Sequence, residues 1–285
     1  MPITEITRGR IELFVRDVES GEKIQRREKS KNPRGVVAVR GGVAAATSTL
    51  GVLGCVFQFA IKHELIERNP AHGIKRPANN IKDIFIDYDE ICALGRLFAN
   101  PKVQTFHKIA VDALKLILMT GCRKSEILTL KWDYIDWENQ CFRFPDTKTG
   151  KQTRPFGIAA LRHLQNLYNQ RNGDYSPYVF PATKESKDGH LVALLKMFKM
   201  ILATKDDSGN LIFYKKGLEN HALRHSFASL AADMGYSDLI TGALLGHSSR
   251  GRGITARYTH AVDKSLLAAA DAVSTKIETA LNTKG

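Results

Sequence analysis

The segment from Asn220 to Val262 reads NHALRHSFASLAADMGYSDLITGALLGHSSRGRGITARYTHAV, and the rest of the chain is interpreted around it. His221 and Arg224 stand in an H-x-x-R spacing, which puts both side chains on one face of a helix. The pattern continues through an amphipathic helix, a turn and a second helix to Leu244-Leu245-Gly246-His247, and ends just past Tyr258. A His, an Arg, a second His and a Tyr in that order read as a phosphate site with a nucleophile at its end. His221 and His225 form an i, i+4 pair that could hold a metal. No third ligand follows at a recognisable spacing and H-E-x-x-H is absent, so no metal is expected, and no cofactor either.

The 285 residues allow one large domain or two of ordinary size. An apolar share of 43% and a charged share of 25% are those of a soluble globular chain. Lys and Arg number 42 against 29 for Asp and Glu, a net charge of +13 that points to a polyanionic partner. Cys55, Cys92, Cys122 and Cys141 are scattered without a C-x-x-C pair, as in a reducing cytosol. The N-terminus lacks the apolar core of a signal peptide, and no run is expected to span a membrane. A cytoplasmic protein acting on nucleic acid, with no membrane partner, is the expectation.

Outward from the opening segment, the periodicity predicts helices over residues 3–19 and 43–66. Between them residues 21–40 read as a strongly basic loop that includes Arg26 and Arg27. Asn69-Pro70 stops the second helix. A helix begins after Asp87, with Asp87 or Asp89 as its cap and Ile91, Leu94 and Leu97 inward. Another covers about 103–119 and ends at Thr120-Gly121. After Trp132 the period changes to alternation over residues 133–137, 140–144 and 152–156, a small antiparallel sheet. A lysine-bearing turn, Asp146-Thr147-Lys148-Thr149-Gly150-Lys151, joins its last two strands. Helices follow over 159–170, 191–203 and 262–281.

Thr120-Gly121-Cys122-Arg123-Lys124-Ser125-Glu126, the Thr-Lys-Thr-Gly turn, H-x-x-R, Leu-Leu-Gly-His and a C-terminal Tyr resemble the tyrosine recombinase, or phage integrase, family. Each motif alone is weak; their order and spacing together are specific, and they cover about residues 85 to 270. Residues 1–75 are similar, more loosely, to the family's core-binding helical domain. The resemblance implies a mainly α fold with a small antiparallel β-sheet, in two domains. Residues 1–76 would be a helical core-binding domain that begins inside its first helices, 77–86 a linker, and 87–285 the catalytic domain with a C-terminal helix.

By that resemblance Arg123 and Arg224 clamp a phosphate, His221 and His247 contact it, and Lys148 protonates the leaving oxygen. Tyr258 is the nucleophile, and Glu126 holds Arg123 in place. Read as residues alone, Arg123 could equally be a helix-start arginine paired to Glu126, and Lys151 competes with Lys148. Basic residues of the first domain and linker, Arg26, Arg27, Lys62, Arg68, Lys75 and Arg76, would meet the DNA backbone. The implied enzyme is a site-specific recombinase that integrates or excises a mobile element through a 3′-phosphotyrosyl link. It would close round double-stranded DNA as a clamp and work as a homotetramer on paired attachment-type sites, with possible accessory DNA-bending proteins. Its C-terminal helix would dock on a neighbouring protomer. Three alternatives stay open: a type IB topoisomerase, a Xer-like resolvase, and a non-catalytic DNA-binding relative.

Overall fold

The computed structural model describes residues 1–22, 26–29, 36–78, 84–146, 150–171, 173, 176–183, 187–247 and 264–283. The chain divides into two compact units, Met1–Lys82 and Asp83–Gly285.

The first unit opens with a 3₁₀ turn (Ile3–Glu5) and continues with α1 (Arg8–Ser20), β1 (Arg26–Lys29), β2 (Val36–Val39) and α2 (Val43–Lys62). Thr7 caps α1 by accepting a hydrogen bond from the Arg10 N–H, which satisfies one of the helix's free donors. Ile11, Val15 and Val18 of α1 bury against Ala46, Leu50 and Phe57 of α2, with Ala71 closing the cluster. The stretch read as a basic loop therefore contains an antiparallel hairpin, with Arg26 opposite Val39 and Arg27 opposite Ala38. Val36-Val37-Ala38-Val39 supplies the β-branched strand that the surrounding charge obscured.

A second correction concerns α2. Among the described residues this one helix is long and apolar enough, by length and composition, to cross a membrane. Its polar positions are Thr, Ser and Gln, and its only charge is Lys62 at the last residue. One face packs on α1. Val52, Val56 and Phe59 on the other are exposed.

The second unit is helical around α4 (Pro101–Thr120), with α3 (Tyr88–Ala99) before it and α5 (Lys124–Leu128) after it. Asp87 accepts from the Glu90 N–H while the Glu90 carboxylate accepts from the Asp87 N–H, a reciprocal cap that fixes where α3 starts. Asn100 caps α4 and Pro101 fills its first position, where a missing N–H costs nothing. Residues 110–119 of α4 are almost all buried because helices cover it on several sides.

The sheet has the order β3 (Ile135–Asp136), β4 (Cys141–Phe144), β5 (Gln152–Pro155), all antiparallel. Its first strand is shorter than the alternation suggests. Trp132–Tyr134 form a 3₁₀ turn instead, because the Trp132 N–H donates to the Pro177 carbonyl. Then come α6 (Ile158–Asn169), α7 (Leu194–Leu202), α8 (Asn220–Asp233), α9 (Asp238–Leu245) and α10 (Lys264–Asn282). Helix α7 starts later than predicted because Leu191 is held extended by a hydrogen bond to Phe180.

Helix α10 is bedded in this chain's own second unit, where Ala269, Ala270, Val273, Ile277 and Ala280 are at most 1% exposed. The bedding is close: a Cβ on Gly95 of α3 would lie 2.2 Å from the Leu281 carbonyl oxygen. The apolar face of α10 is thus covered by the elements of its own unit.

Candidate active site

The site begins where α4 stops. Gly121 adopts the left-handed conformation (φ 62°) and its N–H closes the helix on the Ile117 carbonyl. A Cβ there would sit 2.7 Å from both Leu245 Cδ2 and Phe227 Cδ1, so only glycine lets α8 and α9 pack onto the turn. Helix α8 thereby delivers His221 and Arg224, and the end of α9 delivers His247, to the start of α5.

Glu126 takes hold of Arg123 twice. Its Oε2 accepts from the Arg123 backbone N–H at 2.7 Å and its Oε1 from Nη1 at 2.9 Å. Arg154 of β5 grips the same carboxylate from the other side, Nη1 to Oε2 at 2.7 Å and Nη2 to Oε1 at 3.1 Å. Burial pushes the Glu126 carboxyl up, but the hydrogen bonds and charge of Arg154, with help from Arg123, bring it below the usual carboxylate range. Glu126 is therefore ionised at neutral pH, as its two cationic partners require.

Arg224 is 4% exposed, an unusual place for a guanidinium. Nη1 donates to the Gly121 carbonyl at 2.6 Å, and Nη2 lies 3.0 Å from His247 Nε2. A guanidinium can only donate, so His247 Nε2 accepts, and the imidazole is neutral with its proton on Nδ1. Burial, then the charges of Arg123 and Arg154, lower the Arg224 pKa to about 10. It stays protonated at pH 7 but is held at a cost.

His221 and His247 feel the same field. Burial and then His225, Arg224 and Arg123 push the His221 pKa down; burial and then Arg224, Arg123 and Arg154 do so for His247. The His221 and His225 rings meet edge to face, 4.6 Å between centroids. Beside Arg123 opens a cleft of about 580 Å³, lined among others by Glu126, Lys131, Tyr134, Phe144 and Tyr178.

The structure brings Arg123, Glu126, His221, Arg224 and His247 together. Lys148 and Tyr258 lie outside the described residues, and so does the side chain of Arg27. In the first unit Arg26 is exposed on β1 and Lys62 at the end of α2, and Arg68, Lys75 and Arg76 are exposed in the segment that follows. Among the described residues no group of three His, Cys, Asp or Glu side chains could hold a metal. Sequence reasoning missed Arg154. The available signal was its alternation with outward Thr153, which turns an arginine toward the core beside Phe156.

Comparison with known proteins bears on the family and the fold. Residues 86–265 match the model of the phage integrase family. The tyrosine recombinase XerC of Pediococcus pentosaceus is 25% identical over 224 residues, 76% of this chain and 71% of that relative. The prophage integrase IntZ of Escherichia coli is 26% identical over 194 residues, 64% of this chain but only 43% of its own length. In fold, the chain is similar to the Tn1549 transposon integrase solved with circular intermediate DNA (TM-score 0.63, 18% identity, 92% of this chain and 83% of that one). It is also similar to a lambda integrase dimer bound to a core site (TM-score 0.60, 19% identity, 87% and 81%). With its family match over more than half its length and a mainly helical catalytic fold around a small antiparallel sheet, the chain belongs to the phage integrase family of tyrosine recombinases, which break and rejoin DNA.

Proposed function

We propose that the chain is a site-specific recombinase of duplex DNA, with Tyr258 as nucleophile and the cluster around Arg224 as the seat of the scissile phosphate. The observation that carries this reading is the convergence of Arg123, Arg224 and His247, with Arg224 nearly sealed from solvent and bound to the Gly121 carbonyl and to His247. Arg123, Arg154 and Arg224 crowd positive charge around one carboxylate, Glu126, and leave a surplus that a bound anion would relieve. A phosphodiester is the anion that a polycationic site on a basic protein meets, and its pentacovalent transition state carries more negative charge than its ground state. The cations would thus favour the transition state over the substrate.

In this reading the Tyr258 oxygen attacks phosphorus, the bond to the 5′ oxygen breaks, and the phenolic proton passes to a base. His221, neutral at pH 7, suits that part. Lys148 gives a proton to the leaving 5′ oxygen. Arg123 and Arg224 neutralise the non-bridging oxygens and His247 donates a hydrogen bond to one of them. The products are a 3′-phosphotyrosyl link and a free 5′-hydroxyl. The link conserves the bond energy, so a second 5′-hydroxyl can reverse the step with no metal or nucleotide cofactor.

Domain roles complete the proposal. Residues 1–76 would serve as core-binding domain and 77–86 as linker, with Arg26, Arg27, Lys62, Arg68, Lys75 and Arg76 contacting phosphates of an attachment-type site. Strand exchange would need four copies on paired sites, with DNA-bending proteins as possible accessories, in the cytoplasm. The likeness to XerC also favours a second reading, a Xer-like resolvase acting on repeated sites, by the same chemistry.

Covalent trapping tests the proposal. Protein is incubated with nicked suicide duplexes from the DNA flanking its gene and with supercoiled plasmid, then quenched in denaturant. An adduct present in the native chain and missing from Tyr258→Phe is the expected outcome. An adduct that persists in Tyr258→Phe would remove Tyr258 as nucleophile.

A further inference from the structure

Among the described residues Arg154 is the largest fully buried side chain, 1% exposed, and nothing in its strand explains a cation there. Its contacts join α5, the sheet and the end of α9. Two nitrogens hold Glu126, Nη1 also lies 3.3 Å from Cys122 Sγ, and Nη2 donates to Gln152 Oε1 at 2.6 Å. Its guanidinium carbon stands 5.5 Å from the centre of the Phe144 ring. On the far side it meets Gly246, the residue before His247, where a Cβ would come within 2.2 Å of Nη2. Gly246 is left-handed (φ 67°) and ends α9, so the guanidinium stands against the turn that presents His247.

We propose that Arg154 is a positioning residue for the recombinase reaction: it fixes Glu126, and through it Arg123, while backing the Gly246 turn that sets His247. The inference rests on the function proposed above. Its physical basis is that Glu126 has two carboxylate oxygens and each is shared between Arg123 and Arg154. Without Arg154 the carboxylate can swing about its own side chain, and Arg123 swings with it. A fork-to-fork pair suppresses that rotation where a single hydrogen bond would not. Arg154 also lies on β5, so its bond to Glu126 ties the sheet to the start of α5. Arg154 acts only through these neighbours and makes no contact with the substrate itself.

The test is single-turnover adduct formation on the suicide duplexes that the native chain cleaves, with thermal melts and DNA titrations alongside. Arg154→Met, Arg154→Lys and the paired change Glu126→Leu with Arg154→Met are compared. The paired change removes both buried charges together, so the fold is expected to survive it. Expected are a cooperative melt and native DNA affinity, with adduct formation slowed about 100-fold, the scale on which a displaced reacting group costs rate. Lys, which keeps the charge without the fork, recovers only part of the rate. In an Arg123→Lys background, adding Arg154→Met costs clearly less than it does in the native chain, because one of the two groups it positions is already gone and only its support of the His247 turn remains to be lost.

Native rates in a folded Arg154→Met or paired variant would overturn the assignment. So would losses that multiply with Arg123→Lys, or a paired variant that does not melt cooperatively, which would make Arg154 a fold residue only. Absence of an adduct from the native chain sinks the functional reading itself, and this inference with it. Native cleavage with unaffected Arg154 variants sinks this inference alone.

Discussion

The two units use positive charge in opposite ways. In the second unit Arg154 and Arg224 are nearly sealed from solvent, and both Nη atoms of each are tied to a named carbonyl, carboxylate or imidazole. In the first unit Lys62, Arg68, Lys75 and Arg76 are exposed. Under the proposed function the difference follows from what each set would do. A cation that stabilises a transition state must stand in one place, and burial with hydrogen bonds removes its freedom in advance. A cation that meets a DNA backbone gains by releasing counterions, needs no fixed geometry, and would lose affinity if first stripped of water.

That contrast can be broken in several places. Arg224→Ala should do the most damage, slowing adduct formation by roughly 10²–10³-fold, as the loss of one donor to a developing anion does. It should also cost about 1–3 kcal/mol of stability, because the Gly121 carbonyl loses its buried partner. Rates on suicide duplexes and urea melts measure the two. If Lys75→Ala slowed cleavage more than Arg224→Ala, the division between fixed and mobile cations would be wrong.

Glu126→Leu alone should cost about 3–5 kcal/mol by leaving the Arg154 charge buried without its partner. Equilibrium unfolding reads this directly, and a loss below the scatter of the measurement would mean that water reaches Arg154. Gly95→Ala probes the bedding of α10. Its new methyl would press on the Leu281 backbone, at about 1–3 kcal/mol. An unchanged melting temperature would mean that α10 can leave its seat freely.

A smaller effect concerns pH. His163, half-buried on α6 against the Asp112 carbonyl of α4, has a pKa lowered by loss of solvent, as do His221 and His247. The unfolded chain, with imidazoles near 6.5, then binds more protons than the folded one as the pH falls. Stability should be full above about pH 6.5 and decline below it, through the depressed folded values, before any carboxylate titrates. Melts between pH 7.5 and 5 check the sign; a rise in stability as the pH falls would contradict the partly desolvated, cation-crowded setting of these rings. The smallest effect belongs to the exposed set. Lys75→Ala with Arg76→Ala should leave the melting point unchanged, within about 0.5 kcal/mol. Plots of log affinity against log salt should flatten by about 0.9 for each phosphate no longer neutralised.

Much of this was legible from order along the chain. H-x-x-R spacing, the Thr-Gly before Arg123 and the Gly before His247 each stated a local geometry that the helices then realised. The three-stranded sheet and the start of α3 at Asp87 were readable for the same reason, since alternation and capping are set by neighbours in sequence. Charge misled where it dominated a window. The hairpin of β1 and β2 was hidden among arginines and lysines, and α2 was taken as less apolar than it is because its polar residues are small.

By itself, then, the sequence determined the family, the helical class and the identity of the residues offered for chemistry, because those depend on spacing and residue type. Only the tertiary structure decided which cation would be buried, which histidine would be an acceptor, and where α10 would lie. Arg154 is 28 residues from Glu126 along the chain, and His247 is 23 from Arg224. No local rule couples positions so far apart. Their pairing depends on glycine-permitted approaches at Gly121 and Gly246, and the seat of α10 on another at Gly95, where the absence of a side chain lets whole elements come within van der Waals reach.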